Sequence, residues 1–181
     1  MLANIDAWLA SIGVGVAVAD IDGDGLPDIY VTNADVGSQN ALFLNRGDGT
    51  FKEDAAGWGL ADLNIRTVSM RPLFVDIDND GDKDLFLGTN FCPQLLINEG
   101  RRFSPAPDAG GLDYCGMVLA SNALDFDGDG DLDLVLAGYF QEVDFSSPTT
   151  FSFMQNSLTQ ADNGGQTLVY ENLGAGRFRR A

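Results

Sequence analysis

The sequence predicts an all-β fold built from three repeated units, and two observations lead to that prediction. A nine-residue motif, Asp-x-Asp-x-Asp-Gly-x-x-Asp, occurs three times, beginning at Asp20, Asp76 and Asp125. Short apolar runs bounded by Gly, Asn and Asp precede and follow each copy, which is typical of β-strands. We therefore expect each motif to form a loop that joins two strands of one sheet.

A second element recurs after each of these loops and predicts a hairpin. An apolar run reaches Asn45, Asn98 or Asn172, and a glycine-containing turn and a Phe follow. Asn-x-Gly segments between apolar runs favour tight turns. Each repeat then holds about four strands, which is the content of one β-propeller blade. We expect no helix in Ala55 to Leu63, because this segment is short and rich in glycine.

The repeats predict one continuous array over residues 1–181 rather than separate domains. Its approximate boundaries are 13–66, 67–113 and 114–181, and the third repeat carries an insertion at 140–166 that is rich in Ser, Thr, Gln and Phe. Long insertions in repeat proteins usually form surface loops, and such loops often bind ligands. A merely tolerated insertion is equally compatible with the sequence, since loop length costs little free energy.

The charge balance excludes nucleic acid as a partner. The chain has 27 acidic and 10 basic residues and a net charge of −17, whereas nucleic acid binding needs Lys and Arg to replace counterions. The acidic excess either keeps the protein soluble or is neutralised by bound cations. The chain has no His, and it therefore lacks the commonest general base and transition-metal ligand.

We also expect no membrane-spanning segment, because no apolar stretch is long enough. The run from Leu9 to Ala19 ends like a signal-peptide cleavage site, but no basic residue precedes it, and it continues directly into the first Asp motif. We interpret it as a strand. If the protein is exported, we expect its targeting segment to lie outside this sequence.

Two cysteines, Cys92 and Cys115, leave two interpretations open. They form a disulfide in an oxidising compartment if their Cα atoms lie within about 7 Å. Otherwise they are two buried thiols.

The three Asp motifs predict three calcium sites. Calcium takes six to eight oxygen ligands, and alternate positions of a tight loop point towards a common centre. The first, third, fifth and ninth positions supply carboxylates, and the chemically variable seventh position supplies a backbone carbonyl. The predicted ligands are Asp20, Asp22, Asp24, Leu26 and Asp28 in loop 1; Asp76, Asp78, Asp80, Asp82 and Asp84 in loop 2; and Asp125, Asp127, Asp129, Asp131 and Asp133 in loop 3.

These loops differ from an EF-hand, which needs a Glu at its twelfth position. Val31, Leu87 and Leu136 occupy that position here. We therefore expect a structural ion that holds a strand-to-strand connection rather than a sensor site. Magnesium fits less well, since it requires rigid octahedral geometry and retains its water.

The loops, their flanks and the hairpin element together resemble the FG-GAP repeat of integrin-α type, also called VCBS. They are especially similar to members associated with the ASPIC/UnbV group, which are cartilage-acidic-protein-like. The resemblance runs from about Gly13 to Arg179 and implies calcium-stabilised blades of a β-propeller, usually seven-bladed and extracellular or periplasmic. The second and third repeats lack the full Asn-x-Gly-Asp-Gly-Thr-Phe element, so their hairpin geometry stays open.

Three blades do not close a ring, because closed propellers have about four to eight. We therefore expect a segment of a larger propeller, with further blades from the same parent chain, from self-association or from a partner chain. The predicted function is an adhesion-like interaction module that binds a protein or a glycan. The alternative is the propeller portion of a calcium-dependent polysaccharide-active enzyme, such as a lyase.

We expect no catalytic residues, since the carboxylate clusters are assigned to metal and no nucleophile–base pair stands out without His. Aromatic residues such as Trp8, Trp58, Tyr114, Tyr139 and the phenylalanines of the insertion are able to stack on sugars, although packing in the core is the commoner role. The tripeptide Arg46-Gly47-Asp48 matches an integrin-recognition motif. We interpret it as a chance placement of Arg46 within the hairpin element.

Overall fold

The computed structural model describes residues 14–65, 67–139 and 164–181. These residues form three four-stranded antiparallel sheets, one for each repeat, which confirms the prediction of an all-β fold. Sheet 1 comprises β1 (Val16–Ala19), β2 (Asp28–Val31), β3 (Ala41–Asn45) and β4 (Phe51–Glu53). Sheet 2 comprises β5 (Ser69–Val75), β6 (Asp84–Thr89), β7 (Gln94–Asn98) and β8 (Phe103–Pro105). Sheet 3 comprises β9 (Val118–Leu124), β10 (Asp133–Gly138), β11 (Thr167–Asn172) and β12 (Phe178–Arg180).

The strands of each sheet follow one another in chain order, and every neighbouring pair is antiparallel. The Asp loops connect the first strand of each sheet to the second, as the sequence predicts. The asparagine-containing turns connect the third strand to the fourth. All three hairpins form, with the pairs Asn45–Phe51, Asn98–Phe103 and Asn172–Phe178.

The expectation that no helix forms in Ala55 to Leu63 is wrong. A one-turn helix, α1, spans Ala55–Trp58. Both of its end residues are buried in the core, and Gly59 closes it in the left-handed conformation with φ 76°. Burial therefore holds a helix that is too short to be stable alone. A short 3₁₀ turn also spans Pro107–Gly111.

The apolar core lies between the sheets, because alternate residues of a strand face opposite sides. In β6, Leu85 and Leu87 pack in a cluster with Tyr30 and Leu42 of sheet 1, whereas Phe86 packs in the cluster that contains the inner face of sheet 3. All six residues of β6 are buried. Sheet 2 is therefore covered on both of its faces.

Two of the aromatic residues considered for sugar stacking belong to this core. Trp58 is 6% exposed and Tyr114 is 1% exposed, so the packing interpretation holds for both. Tyr139 is 40% exposed. Trp8 and the phenylalanines at 140–163 lie outside the described residues.

The cysteines form a disulfide, Cys92–Cys115, so the interpretation as two free thiols is wrong. Cys92 lies between β6 and β7, and Cys115 lies before β9. Beside the disulfide, the N–H of Gly116 donates to the carbonyl of Phe91 at 3.2 Å. The bond therefore joins sheet 2 to the segment that enters sheet 3.

The insertion of the third repeat lies in the connection between β10 and β11, and most of it, at 140–163, is outside the described residues. Its two ends lie side by side. The N–H of Gly165 donates to the carbonyl of Tyr139 at 3.0 Å, and the N–H of Gly138 donates to the carbonyl of Gln166 at 2.9 Å. Among the described residues, no helix is both long and apolar enough to cross a membrane.

Candidate metal centres

Each Asp loop brings three carboxylates together. The side chains of its first, third and ninth residues place oxygen atoms within 4.8 Å of one another, close enough to share one cation. The three groups are Asp20, Asp22 and Asp28; Asp76, Asp78 and Asp84; and Asp125, Asp127 and Asp133.

The ninth carboxylate of each loop is buried and anchored by two backbone groups. Asp28, Asp84 and Asp133 are 1%, 0% and 0% exposed. The Oδ2 atom accepts the N–H of the second loop residue, at 2.9 Å from each of Ile21, Ile77 and Phe126. The Oδ1 atom accepts the N–H of the residue that ends the third strand: Asn45 at 2.8 Å, Asn98 at 2.8 Å and Asn172 at 2.7 Å. This carboxylate therefore ties the loop to the hairpin.

The first carboxylate of each loop shapes the turn. Its Oδ2 atom accepts the N–H of the sixth residue, which is a glycine, at 2.9 Å in loop 1 and 3.1 Å in loops 2 and 3. The glycines Gly25, Gly81 and Gly130 have φ of 86°, 98° and 96°. Glycine adopts this conformation without steric penalty.

An unpaired atom in loop 2 shows that the residues present fit a cation. The Oδ1 atom of Asp76 is buried and has no hydrogen-bond partner. In the other two loops the equivalent atom accepts a backbone N–H, from Gly23 at 2.9 Å and from Gly128 at 2.7 Å. A buried carboxylate oxygen without a partner is costly, and a cation held by the cluster would satisfy it.

The fifth position does not join the clusters of three. One oxygen of Asp24, Asp80 and Asp129 instead accepts the N–H of the seventh residue of the same loop, at 2.8, 2.9 and 2.9 Å. The part of these carboxylates in metal binding stays a prediction. Metal binding by the backbone carbonyls of the seventh residues, Leu26, Asp82 and Asp131, also stays a prediction.

The electrostatics of the clusters also favour a cation. Loss of solvent raises the pKa of Asp22 and Asp78 above the ordinary value, and the neighbouring carboxylates raise it further. Burial raises the pKa of Asp84 to about 6, against the opposing effect of the N–H groups of Asn98 and Ile77. A cation would remove this cost by stabilising the charged forms. The donors are all carboxylate oxygens, a set that suits calcium or magnesium rather than a soft metal.

The hairpin asparagines make the same side-chain hydrogen bond in all three sheets. The Oδ1 atom of Asn45, Asn98 and Asn172 accepts the N–H of the glycine two residues later, at 3.0, 3.1 and 3.0 Å. The hairpin geometry that the sequence left open differs between the second and third repeats. Five residues separate the paired Asn and Phe in the first and third hairpins, and four separate them in the second. The role of these asparagines was not predicted from the sequence, although their recurrence before a turn glycine was the available signal.

The integrin-type tripeptide lies in the turn between β3 and β4. Asp48 stabilises this turn from within. Its Oδ1 atom accepts the N–H of Thr50 at 2.9 Å and the hydroxyl of Thr50 at 2.6 Å. These hydrogen bonds hold the pKa of Asp48 below its ordinary value. The carboxylate therefore has a role in the turn itself, in keeping with the interpretation of Arg46 as a chance placement.

The sheets and loops define a class, the all-β repeat proteins with an acidic loop in each repeat. Residues 20–87 match the sequence model of the FG-GAP-like repeat family. The matched segment contains loops 1 and 2 and the strands between them. No curated protein shows significant similarity to the chain.

Proposed function

We propose that the protein is a calcium-stabilised β-propeller interaction module in which the three sheets are consecutive blades. The match to the FG-GAP-like repeat supports an interaction module of propeller type. The observation that carries the calcium proposal is the recurrence of one convergent carboxylate group in all three loops. The buried, unpaired Asp76 Oδ1 is the second support.

The ion's role in this proposal is structural. Each ion would be held by the first, third and ninth carboxylates, with the fifth and seventh positions as further predicted ligands. When bound, it supplies positive charge that offsets the mutual repulsion of the aspartates. The ninth carboxylate is already fixed to the hairpin by two N–H groups. An ion that binds the first and third carboxylates together with the ninth would therefore hold the loop against the sheet.

Calcium removal tests this proposal. We expect the protein to bind three Ca²⁺ ions by isothermal titration calorimetry, and its thermal midpoint to fall in EGTA and recover when calcium is restored in excess. Magnesium at the same concentration is the control and should restore less stability, because its octahedral geometry suits these loops poorly. An unchanged melting curve in EGTA, with no calcium found by elemental analysis, would refute the calcium role.

Exposed apolar residues on sheet 3 support the proposal that the ring continues beyond it. Leu124 and Phe126 are 42% and 46% exposed. Val75 and Ile77 occupy the same positions in sheet 2, immediately before the loop and at its second residue, and are 5% and 0% exposed. In sheet 2 this face packs against sheet 3. The outer face of sheet 3, which has no neighbouring sheet among the described residues, therefore resembles the face of sheet 2 that another sheet covers.

Sheet 1 has an outer face with no neighbouring sheet among the described residues, and Val16 and Val18 on that face are both 60% exposed. We propose that further blades cover both end faces and complete the seven-bladed ring that the resemblance implies. They come from the same parent chain, from self-association or from a partner chain. Two measurements in the presence of calcium test this idea. Sedimentation velocity gives the mass in solution, and binding of an apolar dye reports exposed apolar surface. A compact monomer that binds no apolar dye would contradict it.

For the ligand, we propose a protein or a glycan bound in an adhesion-like role, in keeping with the match to the FG-GAP-like repeat. The disulfide and the FG-GAP-like repeat are both consistent with an extracellular or periplasmic location. A glycan array and a protein-binding screen, each run with and without calcium, test the ligand class.

We propose binding rather than catalysis. The ninth carboxylates are occupied by backbone N–H groups, and the cysteines are joined in a disulfide, which removes both as free nucleophiles or bases. A polysaccharide-cleavage assay beside the glycan array separates the two functions. Turnover of any polysaccharide would favour the lyase-type alternative.

A further inference from the structure

One buried asparagine links two of the candidate metal loops. Asn172, at the end of β11, is 1% exposed. Its Nδ2 atom donates to the carbonyl of Leu132 in loop 3 at 3.1 Å and to the carbonyl of Ile77 in loop 2 at 2.7 Å. The side chain therefore spans the boundary between sheet 2 and sheet 3 and holds one residue of each loop.

Both ends of this link reach a candidate metal ligand. The N–H of Ile77 donates to Asp84 Oδ2 at 2.9 Å, and the N–H of Asn172 donates to Asp133 Oδ1 at 2.7 Å. The ninth carboxylates of loops 2 and 3 are thus connected through only two residues, Ile77 and Asn172. Every contact in this path is a hydrogen bond of ordinary length.

A second contact joins the same two loops directly. The Nδ2 atom of Asn79, the fourth residue of loop 2, donates to Asp131 Oδ1 in loop 3 at 2.6 Å. Asn79 has φ 62°, a backbone conformation that glycine adopts more readily. The fourth residue is glycine in the other two loops, Gly23 and Gly128. The side chain that makes the contact is therefore the feature that distinguishes loop 2 at this position.

Loops 1 and 2 are joined more weakly. Asn98 is the equivalent of Asn172, and its Nδ2 atom lies 3.4 Å from the carbonyl of Ile21 and 3.3 Å from that of Lys83. Loop 1 has Gly23 where loop 2 has Asn79, so it lacks the side chain for the second contact. Among the described residues no sheet precedes sheet 1, and its Asn45 donates to the carbonyl of Pro27 in its own loop at 3.1 Å.

We propose that Asn172 and Asn79 couple metal binding at loops 2 and 3, so that these two loops bind calcium with positive cooperativity and loop 1 binds more independently. The inference rests on the proposed calcium role. An ion that fixes Asp84 also fixes the Ile77 backbone, which in turn holds Asn172 against Asp133. The second loop is then partly ordered before its own ion arrives, and such coupling is reciprocal between the two sites.

Electrostatics opposes this coupling, because an ion at one loop reduces the negative potential that attracts an ion to the next. At 0.15 M salt the Debye length is about 8 Å, and exposed charges at greater separations are largely screened. The hydrogen-bonded path is not screened in this way. Salt screens the repulsion between the two ions and leaves the hydrogen bonds in place, so positive cooperativity should be greater at physiological salt and weaken as the salt concentration is lowered.

The test isolates loops 2 and 3 in an Asp22→Ala background, which disables loop 1. Calcium is titrated by calorimetry at 0.15 M KCl. We expect two ions, with the second bound about fivefold more tightly than it would be alone, within the usual range for coupled sites. Adding Asn172→Ala should lower the Hill coefficient towards 1, because only the contact between Asn79 and Asp131 then remains. Adding Asn45→Ala, which removes the equivalent side chain from sheet 1, should leave cooperativity intact.

A second substitution keeps the test decisive if Asn172→Ala does not fold. Asn79→Gly introduces the glycine that loops 1 and 3 have at this exposed fourth position. It should reduce cooperativity while two ions still bind. Independent binding in the Asp22→Ala protein would overturn the coupling and leave the calcium role standing. Equal loss of cooperativity in Asn45→Ala and Asn172→Ala would also overturn it. Absence of calcium binding would overturn the coupling together with the proposed function.

Discussion

At the residue scale, the ninth carboxylate of each loop joins the loop to the hairpin. Asp84 accepts N–H groups from Ile77 in the loop and from Asn98 in the hairpin. Asp78, by contrast, is only partly buried, and its Oδ1 atom lies 3.3 Å from the N–H of Asp80 within the same loop. Removing each carboxylate should therefore have a different consequence for the metal-free protein.

We predict that Asp84→Asn destabilises the protein even in EGTA. The amide replaces one acceptor oxygen by a donor and leaves a buried N–H without a partner, at a cost of about 1–3 kcal/mol. Asp78→Asn is the matched control and should lower stability only in the presence of calcium. Urea denaturation of both variants, with EGTA and with calcium, measures the difference. Equal stability of the two variants in EGTA would contradict the anchoring role.

Backbone conformation at the sixth loop residue gives a second prediction. Gly81 has φ 98°, and a Cβ built on it meets no atom within 4 Å, so any cost of Gly81→Ala comes from the backbone rather than from a clash. We expect a loss of about 1–2 kcal/mol and weaker calcium binding. Gly164→Ala is the control, because Gly164 also has open space around it but lies outside the loops. Similar stability of both variants would show that a side chain at φ 98° costs no backbone free energy at Gly81.

The sequence was informative about the loops but not about these anchors. Spacing within nine residues predicted that the first, third and ninth carboxylates converge, because that geometry is local, but it also placed the fifth carboxylate in the cluster, which the structure does not. The bonds from Asp28 to Asn45 and from Asp133 to Asn172 span 17 and 39 residues. Only the pairing of the second strand with the third brings these residues together. No local pattern predicts such a contact.

At the scale of the elements, tertiary burial decides where short segments differ from expectation. Helix α1 has one turn and would not persist alone. Trp58 packs beside Phe103, with ring centroids 6.1 Å apart, and this contact fixes the helix against sheet 2. The strands were predictable because their apolar runs recur three times. The helix has no α-helical counterpart in the described parts of the other two repeats, and its stability depends on a partner, Phe103, that lies far along the chain.

The disulfide joins two elements and should contribute measurably to stability. Cys92 and Cys115 are 23 residues apart, and closing a loop of this length restricts the unfolded chain by about 3 kcal/mol in the chain-entropy model. We predict that the double variant Cys92→Ser/Cys115→Ser keeps the fold and unfolds at lower urea concentration. Dithiothreitol should lower the midpoint of the native protein and leave the variant unchanged. No effect of dithiothreitol on the native protein would contradict the prediction.

At the scale of the whole molecule, the three sheets differ in how fully they are enclosed. Sheet 2 has a neighbour on both faces, and each of the outer sheets has a neighbour on one face among the described residues. The sequence predicted the number of repeats, since each has its own loop. It did not predict which faces are covered, because equivalent positions are apolar in every repeat whether or not a neighbour is present.

This difference predicts a gradient of local stability along the array. Strand β6 is buried at all six residues, whereas Val16 and Val18 of β1 are 60% exposed. We expect the amides of β6 to exchange slowest by hydrogen–deuterium exchange, and those of β1 to exchange faster, because opening an outer sheet exposes less apolar surface.

Calcium removal should widen this gradient, because the loop of an outer sheet loses its ion and has only one neighbouring sheet to restrain it. Comparing exchange with calcium and with EGTA measures the change. The amides of β7 serve as an internal control, since they belong to the enclosed sheet and should change less than those of β1 and β2. Uniform exchange across the three sheets, or equal acceleration in β7 and β2, would show that the array unfolds as one unit, and that enclosure does not set its local stability.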